Sequence, residues 1–297
     1  MLAALAANAA IAIAKGVAGA LTGSAALLAE AAHSVADTTN QVFLLISLSL
    51  GERPPDEEHH FGHGKERFFW ALLAAVMIFV AGSVFSIVEG VLRLSESGGS
   101  ESYALVYGVL VFSLAAESTA LVRAVRQTRR AAAEAGLPLV RFIRESREPT
   151  TKTVVAEDTV AVTGVLVAIL GTALHQLTGD VIWDALAAWV IGVLLAVVAY
   201  GLGRNMRDLL IGAAARPDQR ERLREVIESH PDVDALLELL TMYLGPHSLL
   251  VAARVDLRDG LDSSEVERVA DELEAKLREA VPDVEQVFID ATPRGSR

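Results

Sequence analysis

The sequence predicts an all-α membrane domain of six helices, residues 1–205, followed by a small α+β domain of αββαβ order, residues 206–297. Three observations carry that expectation. Six apolar runs approach the roughly 20 residues that a helix needs to cross a bilayer. Hydropathy falls after Gly203. Beyond that point, segments alternating at period 2 are interleaved with segments of helical period.

The runs are Leu2 to Leu21, Ser24 to Leu50, Phe68 to Leu94, Tyr103 to Arg126, Thr153 to Leu177 and Val181 to Gly203. The opening MLAALAANAAIAIAKGVAGAL runs straight into the second and reads as the first span rather than a cleaved signal. The connections LTGS, SESGGSES and LTGD lack Lys and Arg, whereas the stretch from Arg123 to Lys152 also holds Arg126, Arg129, Arg130, Arg141, Arg144 and Arg147. By the positive-inside rule that stretch is cytoplasmic, and an even number of spans puts both termini there too, with the cell membrane the expected location. The loop GERPPDEEHHFGHGKER and the last 92 residues share that side.

RNMRDLLIGAAARPD reads as a linker. After it come a helix from Asp218 to His230, strands near Ala235 to Leu244 and Ser248 to Leu257, a helix from Ser263 to Ala280 and a strand from Val284 to Ala291. Alternation in LLVAARVDL marks a strand, and a Ser start before EVERVADELEAKL marks a helix. A module this small has a modest core, so pairing with a second copy would help it.

Net charge is −12 and the isoelectric point about 5.1, which argues against nucleic acid and admits cations as ligands. With no cysteine among 297 residues, a metal site must use imidazole, carboxylate, carbonyl or water. Nothing resembles an activated nucleophile or a cofactor loop, so the chain does not read as an enzyme.

The second run contains AEAAHSVADTTNQ. His33 and Asp37 are four residues apart and share a helix face, with Asn40 and Gln41 one turn further. A charged group inside a bilayer costs several kcal/mol unless paired, which makes such residues functional candidates. The fifth run repeats the problem in VVAEDTVAVTG, where Glu157 and Asp158 are adjacent. A divalent cation answers the electrostatics, and an imidazole with carboxylates suits zinc, other first-row ions being possible. Asn8, Lys15, Glu89 and Glu117 read as interfacial or interhelical hydrogen-bonding groups, and Asp184 as an acid favoured by its own helix dipole. In DEEHHFGHGK, Asp56, His59 and His63 would converge if the piece coils helically.

LTGSAALLAEAAHSVADTTNQ followed by HHFGHGKERFFWALLAAVMIFVAGSVFSIVEG resembles the cation diffusion facilitator family of divalent metal/proton antiporters. The pairing of HSxxD with FGHGKxE is specific, and the resemblance covers nearly the whole chain. It implies six helices, a metallochaperone-like cytoplasmic αββαβ domain, a homodimer in the lipid bilayer, and export of Zn2+, or in some branches Mn2+, Co2+ or Fe2+, in exchange for protons. It implies His33 and Asp37 as half of the transport site. In the fifth helix the family pattern is HxxxD; Asp158 matches the aspartate, while Val154 stands in the histidine position. The Glu157–Asp158 pair resembles a subgroup variant, with Glu157, or else Asn40 or water, completing the shell. Asp56, His59 and His63 match a loop metal site. Arg254 and Asp290 stand where the family carries histidines in its last domain, which leaves that domain the role of a dimerisation module. Losing the fifth-helix histidine hardens the donor set toward Mn2+, Fe2+ or Co2+, and a non-transporting metal sensor or scaffold is the alternative outside transport.

Overall fold

The computed structural model describes residues 2–95, 102–145 and 149–293. Arg147 and the connection at residues 96–101 lie outside them. The chain divides into two compact units, Met1–Ser49 with Phe69–Arg207, and Leu50–Phe68 with Asp208–Arg297. The loop after the second helix thus belongs with the C-terminal unit.

The N-terminal unit is helical: α1 Leu2–Thr22, α2 Ala25–Gly51, α3 Glu66–Ser95, α4 Tyr103–Glu134, α5 Leu139–Glu145, α6 Pro149–Thr178 and α7 Ile182–Ile211. Four helices are long and apolar enough to cross a membrane, namely α3, α4, α6 from Val154 onward, and α7. The apolar part of α1 is the shorter Asn8–Thr22. α2 runs for 27 residues but carries Glu30, His33, Asp37 and Asn40 along its length. Four of the six expected spans therefore meet that criterion by themselves. Two further features were not legible: the short α5, and a π-helical segment Ile78–Val84 within α3.

The pattern of burial in this unit suits lipid. Its core is rich in small residues, among them Ala25, Ala26, Ala29, Ala36, Ala168 and Ala188, around Leu27, Ile78, Leu110 and Ile191. Phe79, Val80, Val88, Phe112, Leu170 and Val197 point outward. Where lipid surrounds a bundle, helices gain little by burying large apolar groups, and small residues let backbones approach. Gly90 faces the Trp189 ring and the Ala185 carbonyl, and Gly192 faces Ile87 and the Ser83 carbonyl, so a Cβ at either would drive α3 and α7 apart. Trp189 Nε1 donates to the Ile87 carbonyl at 3.2 Å across the same seam.

Asp184 does not sit in water at the start of its own helix. It is 1% exposed, and its carboxylate accepts from Ser24 Oγ (2.9 Å), Ala25 N (2.6 Å) and Ala26 N (3.2 Å), capping α2, with Arg93 Nε of α3 at 3.4 Å. It satisfies first-turn backbone donors of α2, which have no acceptor within their own helix.

The C-terminal unit contains α8 Pro217–Glu228, β1 Val233–Gly245, β2 Ser248–Leu257, α9 Ser263–Ala280 and β3 Val284–Ala291. β1 pairs antiparallel with β2, and β2 pairs parallel with β3 through the α9 crossover. Asp262 caps α9 by accepting from Ser264 N and Glu265 N, and Glu265 returns a bond to Asp262 N. Leu223 and Ile227 of α8, with Val269, Leu273 and Leu277 of α9, recur at helical spacing and are fully buried. They cover one face of the sheet, where Leu249, Val251 and Val255 alternate inward along β2. His230 is structural: Nδ1 accepts from Asp232 N at 3.2 Å, leaving Nε2 to donate to Glu272 at 3.1 Å.

Candidate functional site

The middle of α2 turns a polar stripe inward. Glu30, His33, Ser34 and Asn40 are almost wholly buried, while Val35 between them is 48% exposed. His33 Nε2 lies 3.5 Å from Asp37 Oδ2, as their spacing of four requires. On α6, Glu157 is buried and Asp158 partly buried, because adjacent helical residues diverge by about 100°. Asn40 Nδ2 donates to Glu157 Oε2 at 2.5 Å and joins the two helices. Asp37 lies within electrostatic reach of both Glu157 and Asp158.

Several atoms here have no hydrogen-bond partner: both ring nitrogens of His33, Asp37 Oδ1, Asn40 Oδ1 and Glu157 Oε1. A buried polar atom left unpaired costs roughly 1–3 kcal/mol. Four of these five carry, or by choice of tautomer can carry, a lone pair from imidazole, carboxylate or amide, the donors that first-row divalent ions accept. They are not drawn into one shell, since among the described residues only the loop group places three such ligand atoms within 4.8 Å of one another. Like-charged carboxylates on facing helices repel at short range. Val154, one turn before Asp158, is partly buried and offers no donor.

One member of the stripe was missed by sequence reading. Glu30 is fully buried and pairs with Lys15 of α1, Nζ to Oε2 3.0 Å; Lys15 also donates to Ser34 Oγ at 2.9 Å and lies 3.7 Å from Glu117 of α4. The interhelical role expected for Lys15 is thus present. Glu30 stands three residues before His33 on the same face, the signal that could have marked it. Its Oε1 rests against Gly164 of α6, where a side chain would collide with it.

Asp56, His59 and His63 converge without a helix. Asp56 accepts from the backbone N–H of His59 (2.7 Å) and Glu58 (3.0 Å), forming a turn, and Gly62 at φ +75° lets the chain double back. His63 Nε2 then lies 2.9 Å from Asp56 Oδ2, His59 Nδ1 lies 3.3 Å from Oδ1, and the two rings are 4.3 Å apart. The hydrogen bond from His63, followed by that from the His59 backbone, holds the Asp56 carboxyl well below the usual carboxylate range. Gly64 packs against Leu244 and Gly245, which anchors the loop within the C-terminal unit.

On the uncovered face of the sheet, Arg254 of β2 donates to Asp290 of β3 at 2.8 Å and to Glu238 of β1 at 3.1 Å. A guanidinium thus links all three strands, and its hydrogen bond keeps the Asp290 carboxyl below its ordinary value.

Residues 1–211 match the cation efflux transmembrane domain, and residues 215–294 match the cation efflux protein cytoplasmic domain. The mouse (Mus musculus) protein named proton-coupled zinc antiporter SLC30A9, mitochondrial, is 34% identical over 79% of this chain and 41% of its own length. The Arabidopsis thaliana metal tolerance protein C4 is 34% identical over 77% of this chain and 50% of that protein. The Bacillus subtilis (strain 168) manganese efflux system protein MneP is 24% identical over 91% and 87%. The chain spans half or less of the first two relatives, and the mitochondrial name of the mouse protein gives the expected cell-membrane location no support. The helical unit with its several apolar spans makes this an integral membrane protein, and the match over residues 1–211 makes the chain a member of the cation efflux family, the cation diffusion facilitators.

Proposed function

We propose that the chain is a secondary active transporter that exports divalent metal cations, zinc foremost, from the cytoplasm in exchange for protons. The observation that carries this reading is the facing of α2 and α6 through Asn40 and Glu157, with unpartnered atoms of His33, Asp37 and Glu157 buried beside that contact. His33 and Asp37 supply one half of the transport site, and Glu157 with Asp158 the other. Asn40 orients Glu157 and can itself offer an amide oxygen. Carboxylates and imidazole must lose protons to bind a cation and regain them when it leaves, so exchange follows from the ligands themselves. Helices rocking about the site would open it to each side in turn. In this reading α1 and α2 complete six spans, shielded by the four more apolar helices, with both termini cytoplasmic.

Asp56, His59 and His63 bind a second ion on the cytoplasmic side. The C-terminal domain pairs two copies into a homodimer, in keeping with its match to the cytoplasmic domain of cation efflux proteins. Arg254 supplies a fixed positive charge where the family resemblance places a ligand, so the domain holds its strands without a metal there.

Manganese, iron(II) or cobalt is the second reading for the ion. Val154 leaves one imidazole among up to three carboxylates, a harder set than two imidazoles provide, and one relative is named for manganese efflux. Competition between zinc, manganese, cobalt and iron for uptake into proteoliposomes under a pH gradient tests both. Zinc dominance supports the first, manganese dominance the second, and no proton-driven flux of any of them overturns the transport reading.

A further inference from the structure

Lys15 is fully removed from solvent. A buried ammonium is stable only when its donors are used. Two are, on Glu30 Oε2 and Ser34 Oγ, and Glu117 lies at ion-pair distance but beyond a hydrogen bond, at 3.7 Å. These partners surround the candidate site. Glu30 and Ser34 flank His33 on α2, and Ser34 and Glu117 line a narrow cleft together with Asn8, Ile11 and Asp37. At 1.5 Å of rise per residue, the ammonium between Glu30 and Ser34 lies within about 10 Å of Asp37 along the helix.

Resting on the transport reading above, we infer that Lys15 is a positioning residue that sets the strength of cation binding: a resident positive charge that pairs with Glu30, partly offsets Glu117 beside the site and leaves Asp37, Glu157 and Asp158 to the travelling ion. Without it the divalent ion would meet two further carboxylates within reach and be held too tightly to leave. With it, the same carboxylates support the fold and do not trap cargo.

The test uses the sign of the effect. Lys15→Met removes a positive charge, and Glu30→Gln removes a negative one from the same contact. In zinc flux into proteoliposomes, Lys15→Met is expected to lower KM about tenfold and to slow turnover, and Glu30→Gln to raise KM by a similar factor. That is the size of one unit charge acting on a divalent ion across about 10 Å at an effective dielectric of about 50. The double variant Lys15→Met with Glu30→Gln restores the charge sum and is expected to return KM to within about twofold of the parent. A purely structural contact would move both single variants the same way, because each breaks it, and that result overturns the inference. If Lys15→Met fails to fold, Glu30→Gln and the double variant still decide, since an unchanged KM in Glu30→Gln contradicts it. Asp37→Asn separates the two levels: parent flux abolished by Asp37→Asn with wrong KM signs sinks only the role of Lys15, whereas no flux in the parent sinks the transport reading.

Discussion

Gly164→Ala is a one-carbon change with consequences that can be worked out from contacts. The new Cβ would collide with Glu30 Oε1 and come within 3.8 Å of Ile191 Cγ1. In an unconstrained helix, alanine in place of glycine gains about 1 kcal/mol. Here overpacking costs roughly 1–3 kcal/mol. If Glu30 yields by swinging away, its 3.0 Å pair with Lys15 breaks, and breaking a fully buried pair costs about 3–5 kcal/mol. The net expectation is destabilisation by about 3 kcal/mol, a fall in midpoint of roughly 5 °C for a chain of this size. Thermal unfolding in detergent, followed by circular dichroism, measures it. Gly201→Ala is the control, because nothing lies within 4 Å of a Cβ there, and it is expected to hold or slightly raise the midpoint. Equal midpoints for the two variants would refute the packing of Glu30 between Lys15 and Gly164.

Other expectations follow from the remaining polar clusters. Asp184→Ala strips the acceptor from Ser24, Ala25 and Ala26 and leaves Arg93 buried without that carboxylate, so a loss of about 3–5 kcal/mol is expected in the same thermal assay; a change under 1 kcal/mol would contradict the capping role. Asp56→Asn should remove one bound zinc per chain in equilibrium dialysis throughout pH 5 to 8. The sign follows from a depressed carboxyl pKa: the anion and the bonds it accepts persist above the ordinary value of about 3.9 and are lost only as pH falls through the lower folded value, so acid protonation of Asp56 plays no part in that window. Wild-type stoichiometry in the Asn variant at pH 8 would remove Asp56 from the loop site. Val154→His adds an imidazole one turn before Asp158 and should shift flux competition toward zinc over manganese; an unchanged ratio would show that this position does not tune the ion.

What could be read from the sequence, and what could not, divides along physical lines. His33, Asp37, Glu157 and Asp158 stood out because a charge in an apolar run is costly wherever the helix packs. Glu30 escaped notice because its partner is on another helix, fifteen residues earlier, and the two cancel only in three dimensions. Asp184 was assigned to its own helix by proximity, while its bonds run to α2, a choice made by packing. The loop residues converge as their spacing suggested, but through an aspartate-capped turn and Gly62 rather than a helical coil. In the C-terminal unit β2, α9 and β3 begin and end where alternation and the Ser start before EVERVADELEAKL place them, since there local pattern and burial agree. The π segment in α3 left no periodic trace, and α2 falls short of a simple hydropathy criterion because of the polar residues on its inward face.

In the proposed function, α2 and α6 together bind a divalent cation that leaves in exchange for protons. Zinc uptake into proteoliposomes, driven by an imposed pH gradient and measured for the parent, Asp37→Asn and Glu157→Gln, tests it most directly. Gradient-dependent uptake is expected in the parent, with its abolition in Asp37→Asn and a fall of at least about tenfold in Glu157→Gln, the loss of one charged ligand. Full gradient-driven flux in Asp37→Asn would contradict it.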